Sequence, residues 1–144
     1  MKSSLLLGVM LLLPTLCFGK IVEMDLCEIA TGSDVVTLAT IDRCKTDHGS
    51  ERCQLGEHQD FKGTASEGVC TDVSFVESRP LSGFAGKQVL LFLQHTKGCF
   101  SVTGANRGVV PVVGTTAYTV SLRDLSQTTE LSELVGKLRE CVGK

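Results

Sequence analysis

Gly86-Lys87-Gln88-Val89-Leu90-Leu91-Phe92-Leu93-Gln94 holds the longest run of large apolar residues beyond the N-terminal segment. Its five apolar residues, Val89 to Leu93, are too few to cross a bilayer. The run is closed by Gly86-Lys87 on one side and by Gln94-His95-Thr96-Lys97-Gly98 on the other, where a helix would need a longer stretch of period 3.6. A short unbroken apolar run between turn signals reads as a buried strand, and we expect it to be the central strand of the core.

The flanking segments also read as short strands. After the run, Cys99-Phe100-Ser101-Val102-Thr103 is a strand, Gly104-Ala105-Asn106-Arg107-Gly108 a tight turn, and Val109 to Val113 a further strand. Gly114 turns the chain again, and Tyr118, Val120 and Leu122 alternate with Thr119 and Ser121. Before the run, Ser78 to Gly86 is a connection containing Pro80 and Gly83. In Cys70 to Val76, Val73 and Phe75 fall on one face with Asp72 and Ser74 on the other. Asp34 to Ile41 is β-branched and reads as a strand, whereas Asp42 to Gly68, polar and glycine-containing, is expected to be a long loop tied by Cys44 and Cys53. The chain end reads as a helix, 128–142. Leu131, Leu134, Val135, Leu138, Cys141 and Val142 line one face, Thr128 or Thr129 is the expected N-cap, and Glu130 and Glu133 lie in the first turn.

At the N-terminus Lys2 precedes an apolar run from Leu5 to Leu13, followed by Pro14 and the small residues Cys17 and Gly19. This is the pattern of a secretory signal peptide, residues 1–19, with the mature chain expected to begin at Lys20 as a single domain, 20–144. Its removal takes Cys17, so seven cysteines become six: Cys27, Cys44, Cys53, Cys70, Cys99 and Cys141. An even number in a secreted chain argues for three disulfides, and no Cys-x-x-Cys or Cys-x-x-His spacing offers zinc a site. The expectation is a secreted, extracellular, monomeric protein with no membrane span. The only asparagine, Asn106, precedes Arg107-Gly108, so no N-glycosylation sequon exists.

Asp47, His48, Glu51, Glu57, His58 and Asp60 are ligand-capable, but no metal-ligand spacing relates them, and a solvated acidic loop is the plainer account. No Gly-x-Ser-x-Gly, P-loop or His-Glu-x-x-His is present, and paired cysteines leave no thiolate nucleophile. We expect no enzyme, no cofactor and no metal. Charge is uneven. Residues 78–123 contain no acid but carry Arg79, Lys87, Lys97, Arg107 and Arg123, whereas residues 21–77 hold twelve acids against four bases. The functional account is a basic surface contacting a sulfated glycan or an acidic protein; the plainer one pairs acidic strands with basic neighbours and is preferred. Nucleic-acid binding is not supported, because one tyrosine and no tryptophan leave little to stack on bases.

Cys27 just ahead of Ser33-Asp34-Val35-Val36, and Gly83-Phe84-Ala85-Gly86-Lys87-Gln88-Val89-Leu90-Leu91-Phe92-Leu93 leading to Gly108-Val109-Val110-Pro111-Val112, resemble the netrin-like module. That module is an OB-type barrel shared by netrins, complement C-terminal domains and tissue inhibitors of metalloproteinases. The resemblance runs from Cys27 to Cys141. It implies a mainly β fold, a small five- to six-stranded OB-like barrel with a C-terminal α-helix, stabilised by disulfides. It also implies a secreted extracellular binding module, contacting a protein or a sulfated glycan or regulating a protease. The inhibitors open on Cys-x-Cys, whose amine and carbonyl chelate the target's zinc. Lys20-Ile21-Val22 stands at the expected mature start, so that mechanism is not expected. As the alternative, Asp25-Leu26-Cys27, Cys44 and Cys53-Gln54-Leu55-Gly56-Glu57 look like the lipid-recognition (ML) domain of cholesterol-transfer and endotoxin co-receptor proteins, which implies a β-sandwich lipid carrier. The closing helix and the long loop after Gln59 depart from that family.

The netrin-like resemblance implies a bond from Cys27 to Cys141. Cys44 and Cys53 flank a Gly-Ser turn and form the natural local pair, which leaves Cys70 and Cys99, each opening a strand next to the central one. Proteolysis without reduction followed by mass mapping should return these three cross-linked peptides; a Cys53–Cys70 peptide would break the assignment and part of the fold argument.

Overall fold

The computed structural model describes residues 26–66, 68–72, 80–104, 108–120 and 126–143. The expected signal segment, Val73, Phe75, Leu122 and the centre of the Gly104–Gly108 turn lie outside these. Residues 26–31 are helical (α1). Eight strands follow: β1 Val35–Asp47, β2 Ser50–Lys62, β3 Val69–Asp72, β4 Gln88–Thr96, β5 Cys99–Val102, β6 Val109–Val113, β7 Thr116–Val120 and β8 Ser126–Glu130. The helix α2, Leu131–Val142, closes the described chain, and a 3-10 turn at Leu81–Phe84 leads into β4.

All eight strands belong to one sheet, in the order β1-β2-β3-β5-β4-β6-β7-β8 with β1 also paired to β4. Five of them are therefore joined in a ring, β1-β2-β3-β5-β4 and back to β1, in which only the β3–β5 pairing is parallel. The ring is partial, because one edge of β4 is divided. Leu93–Thr96 pairs with β5, Gln88–Leu91 pairs with β6, and β7 and β8 continue outward. Between the two partners the Phe92 carbonyl accepts a hydrogen bond from Thr103 N–H at 2.8 Å.

β4 is central because both its faces are buried. Leu90 and Phe92 pack with Val36, Leu38, Val110, Val112 and Ala117 beneath Leu134 and Leu138 of α2. Val89, Leu91 and Leu93 face the other way, among Val35, Ile41, Val69, Leu81 and Phe100. β1 repeats the arrangement in register, Val35 opposite Leu93 and Val36 opposite Phe92. An unbroken apolar run is what two-sided burial requires, since alternation would expose one face.

The helices cover the same side of the sheet. Leu26 and Ile29 of α1 join Leu131, Cys141 and Val142 of α2 around the first cluster, and a disulfide ties Cys27 to Cys141 with Cα atoms 5.2 Å apart. The Lys62 ammonium donates to the Ala30 and Thr31 carbonyls at 3.1 and 3.2 Å, placing a cation at the C-terminal end of α1, where the Ala30 carbonyl also accepts from Ser33 N–H at 3.4 Å.

Three expectations are corrected. Residues 42–68 are not a long loop; most of them form the ladder of β1 with β2. The strands number eight among the described residues, more than five or six. The closing helix starts at Leu131, with Glu130 and not a threonine at the N-cap position and no side-chain cap. Thr128 and Thr129 instead extend β8 opposite Tyr118 and Ala117, and Leu131 N–H donates to the Thr115 carbonyl at 2.7 Å. Their β-branched side chains suit the strand, and the β6–β7 turn satisfies one of the N–H groups that the start of α2 leaves unpaired.

Leu138 is fully buried. Leu138→Ala or Leu134→Ala should each cost about 2–5 kcal/mol in urea unfolding with little change of m-value; a loss below about 1 kcal/mol would mean that α2 is not packed on β4.

Candidate functional site

The β1–β2 hairpin carries most of the ligand-capable residues and turns at His48 and Gly49, with φ of 48° and 77°. Two consecutive positive φ values match the right-handed strand twist, and glycine accepts such a value without strain. Cys44 and Cys53 are equidistant from this turn, so pairing from it outward sets them face to face, bonded with Cα atoms 4.0 Å apart. Farther along, Ile41 opposes Leu55 and Arg43 opposes Gln54, leaving Asp42 as the extra residue of a bulge. The bulge shifts the alternation by one residue. Ile41 and Cys44 thereby both join the inner cluster, and Arg43 and Lys45 point outward, exposed.

The six ligand-capable residues do not converge. Asp47 and His48 pair at the exposed hairpin tip at 3.3 Å. His58 Nδ1 and Asp60 Oδ1 pair at 3.0 Å toward the other end of β2, beside exposed Glu57. Glu51 faces inward, only 1% exposed, where its Oε1 accepts from Ser82 N–H at 3.0 Å and the Thr71 hydroxyl at 3.5 Å. Cys44, Glu51 and Cys53 bring ligand atoms within 4.8 Å of one another, but both sulfurs are spent in the disulfide, and a metal needs thiolates. Glu51 is thus a buried acceptor fastening the turn before β4 to the hairpin.

Of the basic residues singled out above, Arg79, Arg107 and Arg123 lie outside the described residues. Lys87 and Lys97 are exposed but flank β4 at opposite ends, about 30 Å apart along an extended strand. The structure gathers other cations instead. Lys45 lies directly opposite Arg52, with Arg43 on the same outward face. Counting residues 21–77 as an acidic block hid this group. The signal was present in the alternation Arg43-Cys44-Lys45 and in the cysteine symmetry about His48-Gly49, which sets Lys45 against Arg52. The third disulfide, Cys70 to Cys99, with Cα atoms 6.0 Å apart, joins the parallel pair β3 and β5 beside this face.

No protein-family model and no curated protein matches this chain.

Partial burial works to raise the Asp60 carboxyl, but hydrogen bonding with Thr37 and His58, the Ala65 N–H at 3.3 Å and attraction to His58 outweigh it and hold the carboxyl below its ordinary value. The Thr37 hydroxyl also lies 3.2 Å from the Gln59 carbonyl and can serve only one acceptor at a time. A carboxyl depressed in the folded state lends stability above its unfolded pKa, about 3.9, and loses it as pH falls through the folded value. Melting temperatures of the Asp60→Asn variant should accordingly fall less than wild type between pH 5 and 3; parallel curves would show that Asp60 carries no such linkage.

Proposed function

We propose that this chain is a secreted extracellular binding module of netrin-like, OB type, acting through contact with a macromolecule and not through catalysis. The observation carrying this reading is the strand ring β1-β2-β3-β5-β4 with two helices packed on the outside of β4 and cross-linked by Cys27–Cys141. On this reading the ring presents strand faces and hairpin loops to oligomeric ligands, the use to which OB folds are put. Three disulfides are the usual means of holding a small domain in an oxidising compartment, and no helix among the described residues is long and apolar enough to cross a membrane. The inhibitors' zinc-chelating start has no counterpart in Lys20-Ile21-Val22, so any protease regulation would use a different surface.

The lipid-carrier alternative requires two sheets around an apolar cavity. The described strands form a single sheet, and the space within the ring holds Val35, Ile41, Val69, Leu91, Leu93 and Phe100. Mass spectrometry of organic extracts of the secreted protein should therefore show no stoichiometric lipid. A sterol or fatty acid recovered at one per chain would replace this reading with lipid carriage.

A further inference from the structure

Near its turn the β1–β2 ladder has two faces of opposite character. Inward, Cys44, Glu51 and Cys53 adjoin the core. Outward stand Arg43, Lys45 and Asp47 on β1 and Ser50, Arg52 and Gln54 on β2, all exposed. Lys45 and Arg52 are directly opposed, and like charges in that relation destabilise a sheet. Arg43 lies two residues from Lys45, about 6.6–6.8 Å along the strand. Among the described residues no acid pairs with any of the three, the ion pairs being His48 with Asp47 and His58 with Asp60. Asp47 bounds the face at the hairpin tip, turned to His48.

A fourth cation, Lys97, lies in the turn that anchors Arg52. The Arg52 side chain passes over Gly68, where a Cβ would stand 3.3 Å from its Nε, and its Nη2 donates to the Gly98 carbonyl at 2.9 Å. The Cys70–Cys99 bond fixes the same turn covalently to β3, and exposed Lys97 precedes Gly98 in it. Arg52 is thus held in place by a carbonyl that neutralises none of its charge. Pre-positioned cations lose little freedom when an anion arrives.

We propose that the face formed by Arg43, Lys45, Arg52 and Lys97 binds a sulfated glycan. This deepens, and rests on, the reading of the chain as an extracellular binding module. The outward positions of the ladder offer no aromatic ring for stacking bases, which single-stranded nucleic acids exploit. They also lack the apolar or aromatic anchor around which protein interfaces concentrate their energy. What remains is a group of exposed cations, one of them anchored, suited to a ligand recognised by repeated anionic groups. In the oxidising compartment that the disulfides point to, sulfated glycans are that kind of polyanion.

Heparin, used as the probe, tests this with the full secreted chain. Wild type should be retained on immobilised heparin, elute with rising salt as screening shortens the reach of each charge, and pass through desulfated heparin. The R43Q/K45Q/R52Q variant should bind about tenfold more weakly, as expected for three contacts of exposed-pair strength. R43Q/K45Q, which keeps the Arg52–Gly98 bond and relieves the Lys45–Arg52 repulsion, should show an intermediate loss with a melting temperature no lower than wild type, separating lost contacts from lost fold. An R79Q/R107Q/R123Q variant should bind as wild type. If that variant alone loses retention, or the ladder variants bind normally, this face is wrong while the binding-module reading stands. Wild type in the flow-through, or equal retention on immobilised polyglutamate, would overturn the sulfated-glycan ligand and leave the module reading to the lipid extraction.

Discussion

The burial of Val89 to Leu93 on both faces is the constraint from which the rest of the architecture follows. A strand with no solvent face must be covered twice, and a chain of this size covers it once by curling its own sheet and once by laying helices over it. β1 meets the same demand, as its first five residues, Val35 to Ala39, are buried against Leu93 to Val89. The curl follows from the pairings. β1 pairs with β2 along one edge and with β4 along the other as far as Thr40, where Ile41 bonds on to Gly86 and Lys87, while β2 takes β3 on its outer edge only near the turn, at Ser50 to Cys53. Each second partner occupies only part of an edge, and β4 divides its own second edge between β5 and β6, so the sheet curls back on itself instead of continuing flat.

That strand and the closing helix were legible because hydrophobic burial writes itself into periodicity. Val89–Leu93 has no period and Leu131, Leu134 and Leu138 have a helical one, and each pattern admits few placements. The hairpin between Asp42 and Gly63 was illegible for the opposite reason. Its outer face is charged, its inner face near the turn is filled by Glu51 and two cysteines, and bulges at Asp42 and elsewhere shift the alternation, so no run of period two survives. A polar stretch reads as a loop when the core it lines is made of sulfur and a hydrogen-bonded carboxylate. The threonines before α2 misled in a different way, since the residue that caps a helix well also pairs well in a strand, and tertiary pairing with β7 decided between them.

The candidate face was hidden by the same hairpin. Composition along the chain assigned charge to blocks, yet antiparallel pairing brings residues together by register. Lys45 and Arg52 lie seven positions apart in a segment rich in acids, and folding sends Glu51 inward while keeping both cations out. A net-negative chain can therefore present a cationic surface, because orientation across a strand sorts charge more finely than counting does.

The covalent link between α1 and α2 also governs how the domain responds to force. Cys27 and Cys141 are separated by 114 positions in sequence but lie side by side. Tension entering through the residues before Cys27 and leaving through those after Cys141 passes across two sulfur atoms and bypasses the sheet. The ladders between them carry no load, so stretching of a matrix in which the domain was embedded would neither shear β1 from β4 nor peel α2 away until a covalent bond broke. A chemical reductant, and not mechanical work, is what would make this domain extensible.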